Sequence, residues 1–346
     1  MSNSKNISIA KLDDLDEIMQ FIDNEWEKGH ILGTNRDFFL YEYQNKELLN
    51  FVISKNQSNK INGILGFLKS SSDVNSTLWT TMWKVSKSTN SPMLGIEILN
   101  FLRKQDYNNI ISVGINLKTI EIYKYLGFKT GVLEHYFIPN HNINKNQIAI
   151  IPTHLKNNIN FPVINKDITC KKITIKEVQE SFNFNKYKSL SHNKDLNYFK
   201  KRYFQHPIYK YDVYGSYKDS KLHALLVVRI SSYLESSCIR IVDFYGEAVF
   251  LDSISMTLVK IMHEKNHEYI DFLCSGLSST TMLKAGFIKV NDEDVVIPNY
   301  FEPFVRKNIF INFFTGSSLD GENLRIFKAD GDQDRPSSSV MKLLSK

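Results

Sequence analysis

"YLGFKTGVLEHYFIPN" (residues 125–140) falls on "KAGFIKVNDEDVVIPN" (residues 284–299) when the chain is displaced by 159 residues. Gly127 and Phe128 then meet Gly286 and Phe287, while Ile138, Pro139 and Asn140 meet Ile297, Pro298 and Asn299. The same displacement runs upstream without a gap, laying "NNIISVGINLKTIEIYKYLGF" on "HEYIDFLCSGLSSTTMLKAGF" and "GIEILNFLRKQ" on "ISMTLVKIMHE". Nearer the two starts, "RDFFLYEYQ" resembles "LNYFKKRYFQ" at a displacement of 160 residues. Self-similarity of long period marks a duplicated unit. Each copy reads as a buried strand, a helix, a Gly-Phe turn and a further strand, so two tandem α/β units are expected.

The bulk properties agree. At 346 residues the chain suits two domains of about 150 residues each. A hydrophobic content of 42% with 23 Phe and 17 Tyr supplies real cores. Apolar runs such as "ALLVV" fall far short of the roughly 18 residues that span a bilayer, and "MSNSKNISIAKL" lacks a signal-peptide core. A soluble, cytoplasmic protein with no membrane partner is expected. Cys170, Cys238 and Cys274 are odd in number and without CxxC spacing, which supports neither a disulfide framework nor a zinc site. The net charge of +6 comes from scattered Lys residues rather than a dense block, so no nucleic-acid partner is expected. A mild positive field still suits a polyphosphorylated small ligand.

In copy one the spacing predicts strand "ISIAKL", helix "DLDEIMQFIDNEW", an irregular helical stretch through "FFLYEYQN", and strands "LNFVISK", "INGILGFLK" and "TLWTTMWKVS". Helix "LGIEILNFLRK", strand "NIISVGI", helix "KTIEIYKYL" and a final strand "VLEHYFI" follow; Ile96, Leu99 and Leu102 show the helical 3–4 spacing. The Asn-rich stretch after them holds turn formers. Domains are expected at 1–141 and 166–346, with 142–165 as linker.

This order, with a turn before the first helix after the fourth strand, resembles the GCN5-related N-acetyltransferase (GNAT) fold. The resemblance is carried by "NSPMLGIEIL" and by "INLKTIEIYKYLGF", which is similar to the family's Asn-then-"LYEKLGF" motif, and it covers about residues 6–139. It implies an α/β fold of α+β type, each half a mixed, mostly antiparallel sheet flanked by helices. It also implies acyl-coenzyme A as cosubstrate, with no metal. A pyrophosphate is held by free N–H groups at a helix N-terminus, where the dipole favours it. The family's Gln/Arg-x-x-Gly-x-Gly/Ala turn is reduced here to Asn90-Ser-Pro-Met-Leu-Gly95, and Pro92 and Met93 restrict how closely the loop approaches. The resemblance places Asn90, Leu94, Gly95 and Asn116 at the cofactor, with a backbone N–H near Lys84 and Val85 for the oxyanion. Tyr123 takes the place of the tyrosine that protonates the leaving thiolate, although a tyrosine on a helical face also suits a core. Opposite Asn116, Tyr123 and Gly95, copy two has Ser275, Met282 and Ile254, preceded by the acidic "DFYGEAVFLD". Carboxylates repel a pyrophosphate and Met donates no proton, so copy two is expected to have lost the cofactor site and to shape the acceptor pocket.

"DNEWEKGHIL", "RYFQHPIYKY", "IRIVDFYGE", "IPNYFEPF" and "ADGDQDRPS" together resemble GNAT-type sugar N-acyltransferases of bacterial surface-polysaccharide pathways, over nearly the whole chain. These act on dTDP-3-amino-3,6-dideoxyhexoses with donors such as acetyl- or 3-hydroxybutyryl-coenzyme A. The resemblance implies direct attack of the sugar amine on the thioester, for which the amine must lose a proton. His135, Glu134 beside it, and Asp243 are the candidates to receive or bind it. His135 alternates with apolar residues and also suits a satisfied buried histidine; Asp243, between apolar neighbours, reads as a buried carboxylate needing a partner. Trp26, His30, Arg36, His206, Tyr300 and Phe301 are acceptor-site candidates, because aromatic faces stack on thymine or sugar and Arg grips pyrophosphate. The competing classes are a FemX-like aminoacyl transferase, which wants a basic groove and a coiled-coil insertion that are not seen, and a non-catalytic binding protein. Monomer and homodimer both remain open.

In "KADGDQDRPS", Asp330, Asp332 and Asp334 alternate like the start of a calcium loop. Arg335 stands where the turn glycine belongs and Met341 where the bidentate Glu belongs, which argues against calcium. The stretch reads as an Asp-stabilised turn, or as a clamp in which Asp330, Asp332 and Arg335 hold sugar hydroxyls and amine.

Overall fold

The structure is a computed structural model, and its described residues are 6–338 apart from 74–75, 158, 160, 163–164, 191, 292–293 and 317–323. The apolar alternations of copy one form β1 (Asn6–Lys11), β2 (Leu48–Lys55), β3 (Ile61–Lys69), β4 (Thr77–Val85), β5 (Asn109–Val113), β6 (Lys129–Val132) and β7 (Glu134–Pro139). Its helices are α1 (Leu15–Phe21), α2 (Arg36–Tyr43), α3 (Leu94–Arg103) and α4 (Ile120–Tyr125). Copy two supplies β8 (Ile168–Lys172), β9 (Asp212–Lys218), β10 (Lys221–Tyr233), β11 (Ser236–Gly246), β12 (Tyr269–Ser275), β13 (Ile288–Lys289), β14 (Asn312–Thr315) and β15 (Ile326–Phe327), with helices α5 (Ile175–Ser181), α6 (Leu251–Glu264) and α7 (Ser279–Lys284). Met341 lies outside the described residues.

Two mixed sheets result, ordered β1-β2-β3-β4-β5-β14-β6 and β13-β7-β12-β11-β10-β9-β8. In each, one pair is parallel, β4 with β5 and β11 with β12. Helix α3 buries Leu94, Ile98, Leu99 and Leu102, and its apolar face packs on the first sheet. The repeat extends to local chemistry. Gly127 and Gly286 end α4 and α7 at φ of 86° and 85°, a left-handed turn that glycine adopts without Cβ strain. Asn35 caps α2 through Phe38 N–H, and Asp195, 160 residues on, caps the next helical stretch through Tyr198 N–H.

The expected strand "VLEHYFI" is divided. The chain leaves the first sheet at Leu133, whose N–H donates to Ile311 O at 2.9 Å, and β7 then lies between β12 and β13 of the second sheet. In return β14 lies between β5 and β6 of the first sheet. Residues 134–139 therefore complete the second sheet and 312–315 the first, so sheet membership does not divide at residue 141. The expected counterpart of β7, "VVIPN", makes only a bridge from Val296 to Ile150. Alternation shows which face of a strand is apolar; it does not show which sheet the strand joins.

The segment 142–165 is more than a connection. Ile148, Ala149 and Ile151 are buried with Phe137 and Tyr269, and the Glu268 carboxylate accepts the amides of Gln147, Ile148 and Ala149 at 2.6, 2.9 and 3.2 Å. No helix among the described residues is long and apolar enough to cross a membrane.

Candidate active site

Strands β4 and β5 pair from Thr77 with Asn109 to Thr80 with Ser112, and then part. The pairing of β4 with β3 also shifts between Leu65 and Phe67, a bulge that bends β4 where it leaves its neighbour. The gap holds a cavity of about 150 Å³ lined by Trp26, Met82, Trp83, Gly114, Asn116 and Tyr123, among others. Tyr123 packs on Phe314 at 4.2 Å and Trp83 at 5.6 Å between ring centres. Burial pushes its phenol above the usual tyrosine range, with the Thr119 hydroxyl pulling the other way, so it is a protonated donor at neutral pH.

The equivalent gap in the second half is filled by the chain itself. Strands β11 and β12 pair only from Ile239 with Ile270 to Ile241 with Phe272. Beyond that, β15 pairs on β12, with Phe327 opposite Cys274, and Ala329 N–H donates to Val242 O at 2.9 Å. Phe327 stacks on Phe272 at 5.6 Å, and Met282, at the position of Tyr123, is fully buried. The second cleft is thus plugged by the segment that leads into "KADGDQDRPS".

From the plug the chain runs as a strap into a cavity of about 480 Å³ between the halves. His30, Tyr209, Arg229, Arg240, Tyr300 and Lys328 line it, and Asp332, Gln333 and Arg335 line both this cavity and the one beside Tyr123. His30 accepts Leu32 N–H at Nδ1 (3.2 Å), and its Nε2 lies 3.0 Å from the Arg335 guanidinium. Burial and then the Arg335 charge hold the imidazole at about 3, so it is neutral; with Nδ1 accepting, the single ring proton sits on Nε2, which packs beside Arg335 without accepting from it. Tyr300 donates to Gln333 Oε1 at 3.3 Å. Gly114, at φ of 87°, lets Gln333 approach so closely that a Cβ there would collide with its amide.

No family model matches the sequence, and no curated protein is similar to it in sequence. Solved structures are similar in shape. A GCN5-related N-acetyltransferase from Anabaena variabilis superposes at a TM-score of 0.55 with 11% identity, over 90% of this chain and 72% of that one. A conserved protein of unknown function from Enterococcus faecalis, described as a probable N-acyltransferase, gives 0.56 with 8% identity, again over 90% and 72%. The fold is that of the GCN5-related N-acetyltransferases. It occurs here as two GNAT-like sheets in tandem.

Within the GNAT frame, Tyr123, Asn116 and Trp26 come together at the first cleft, and His30, Tyr300, Phe301, Asp332 and Arg335 at the second cavity. Asn116 is exposed and caps the turn before α4 by accepting Lys118 N–H at 2.9 Å. No side chain caps the first turn of α3, next to exposed Asn90, although Leu94 N–H donates to Ser91 O at 3.1 Å. Leu94 is buried in the core, and Gly95 serves packing, since a Cβ would meet the Trp83 ring at 3.2 Å and its carbonyl accepts Trp83 Nε1 at 3.1 Å. Lys84 and Val85 pair with Ile64 and Gly63 of β3, past the cavity; the bulged stretch Thr81–Trp83 forms the wall instead.

Asp243 and Asp330 stand elsewhere. Lys194 donates to both oxygens of Asp243 at 3.0 and 2.9 Å and pairs with Asp330 at 2.5 Å, with every partner nearly unexposed. Tyr203 and Phe244 N–H complete the shell of Asp243, which lines neither cavity and has no bond left for an amine. Asp330 accepts Phe327 N–H and locks the plug. His135 bonds Asp271 at 3.0 Å and lines a separate cavity of about 220 Å³; its neighbour Glu134 bonds Lys289 and Tyr136. Burial lowers the His135 pKa, although Asp271 opposes this. Arg36 is paired with Asp16 on the surface. His206 packs among Phe38, Tyr41, Tyr209 and Tyr211. Both lie outside the two cavities.

Sequence reasoning missed Arg229, Arg240 and Lys328. A signal was present for the first two: each is the lone Arg of its strand with apolar residues on either side, and they are register partners across β10 and β11. Buried charges of this kind need partners. Asp334 takes Arg229 (2.7 Å) and Asp271 takes Arg240 (3.1 and 3.0 Å).

Proposed function

We propose that the protein is an acyl-coenzyme A-dependent N-acyltransferase whose acceptor is the amine of a nucleotide-linked sugar of the dTDP-3-amino-3,6-dideoxyhexose type, serving surface-polysaccharide synthesis in the cytoplasm. One observation carries the reading: the cleft with Tyr123 and the polar cavity between the halves share Asp332, Gln333 and Arg335. A donor in the first and an amine in the second would meet at those residues.

In this reading the pantetheine arm runs between the parted β4 and β5, and the pyrophosphate faces the uncapped first turn of α3. The thioester carbonyl lies against the bulged backbone of Thr81–Met82, whose amides would hold the oxyanion. The sugar amine gives a proton to Asp332, directly or through water, and its nitrogen attacks the carbonyl carbon. As the C–S bond breaks, the sulfur takes the Tyr123 phenolic proton. Acetyl and 3-hydroxybutyryl groups are the donors to try first.

The test is a thiol-release screen of acyl-coenzyme A donors against dTDP- and UDP-linked amino sugars. Release with a nucleotide amino sugar supports the proposal. Transfer seen only with aminoacyl-tRNA or peptide amines, or no release with any pair, would overturn it.

A further inference from the structure

Lys328 closes the plug and turns its side chain into the cavity between the halves. Its residue exposure is 2%, and among the described residues its ammonium makes no hydrogen bond or ion pair. The other inner cations of this cavity are matched: Arg229 by Asp334, Arg240 by Asp271 and Arg335 by Asp332. Each of the three deep cations also lies over an aromatic ring of the cavity wall, Arg229 on Tyr209 at 3.9 Å, Arg240 on Phe301 at 4.9 Å and Lys328 on Tyr300 at 5.4 Å. A buried, unmatched ammonium is costly and lowers stability unless something pairs with it.

We propose that Lys328 seats the diphosphate of the acceptor, so that the ligand lies with its phosphates at Lys328 and its amine toward Asp332. The proposal rests on the acceptor cavity assigned above and adds which group goes where. A diphosphate suits better than a single carboxylate because it offers the Lys328 ammonium several charged oxygens, while Arg229 and Arg240 are already matched by their own carboxylates. Tyr300 and Phe301 line the same cavity. Burial and then Arg240, with Arg229 adding and Asp334 and Asp271 opposing, hold the Lys328 ammonium down to about 7. Binding of a diphosphate near neutral pH should therefore take up a proton.

The experiment is calorimetric titration of the whole chain, without acyl-coenzyme A, using dTDP, UDP, inorganic pyrophosphate and glucuronate, on the wild type, Lys328→Met and Lys328→Arg. Expected are binding of the diphosphates with proton uptake, a loss of about tenfold or more in Lys328→Met, and near-retention in Lys328→Arg. The thermal midpoint of Lys328→Met should hold or rise, because the removed charge had no partner. Equal affinity in Lys328→Met, binding of glucuronate alone, no binding of any probe, or a fall in midpoint that parallels the loss of binding would each overturn the proposal. Lysine-dependent diphosphate binding without transfer to any amino sugar would leave this site standing and defeat the acyltransferase reading. Transfer to nucleotide amino sugars with an unchanged KM in Lys328→Met would do the reverse.

Discussion

Arg202 is ion-paired at 3.3 Å with Glu42, the residue 160 positions before it and its own counterpart in the repeat. Tyr41 likewise donates to the carbonyl of Lys201, again 160 residues on. The two halves thus meet through equivalent positions of the repeat. Arg202 also departs from that equivalence, because its second terminal nitrogen donates to the carbonyls of Ala329, Gly331 and Asp334 at 3.3, 3.2 and 3.4 Å and so anchors the strap.

Arg202→Met should therefore lower unfolding free energy by about 3–5 kcal/mol, the usual cost of breaking a buried pair from one side. It should also slow turnover by loosening Asp332 and Arg335. Denaturant unfolding followed beside the steady-state rate checks both. A variant as stable as wild type would show that the strap is held by other contacts.

Tyr123→Phe keeps the packing on Phe314 and Trp83 and removes the proton donor. Acyl transfer should fall by roughly 100-fold, with the fold and donor binding retained. Because the phenol is raised above its ordinary range, its ionisation should cause no loss of rate up to pH 9.

Only one cleft is open, since β15 occupies the other. Titration with an acyl-coenzyme A should give one site per chain; two sites would mean that the plug yields to ligand.

Lys194→Met leaves Asp243 and Asp330 buried without their cation, and should cost about 3–5 kcal/mol at pH 7. Asp243→Asn should lower stability while leaving the KM for the amine unchanged, because Asp243 lines neither cavity. A raised KM in a stable Asp243→Asn protein would return that residue to the acceptor site.

Burial works against the Asp334 charge, but Arg229 outweighs it and holds the carboxyl below the ordinary range. A carboxyl lowered by folding stabilises above its unfolded value of about 3.9, and that stability is lost as pH falls through the folded value. The stability gap between wild type and Asp334→Asn should be constant from pH 5 to 7 and shrink below about pH 4. Unfolding curves across that range decide it.

By itself the sequence determined the duplication, the order of strands and helices in the first half as far as the helix that carries Tyr123, the Tyr123 motif and the Met282 that stands at its counterpart. These are local matters: periodicity, a Gly at a left-handed turn, one side chain for another at a fixed register. Tertiary structure alone decided that β7 and β14 change places, that β15 fills the second cleft, and that Asp243 answers to Lys194 instead of a substrate. The same holds for the three acids of "KADGDQDRPS", which go to Lys194, Arg335 and Arg229. The physical reason is that a strand edge or a buried charge states only that it needs a partner. Which partner it finds depends on contacts more than 100 residues away, such as Arg229 with Asp334 or His135 with Asp271, and no local pattern records them.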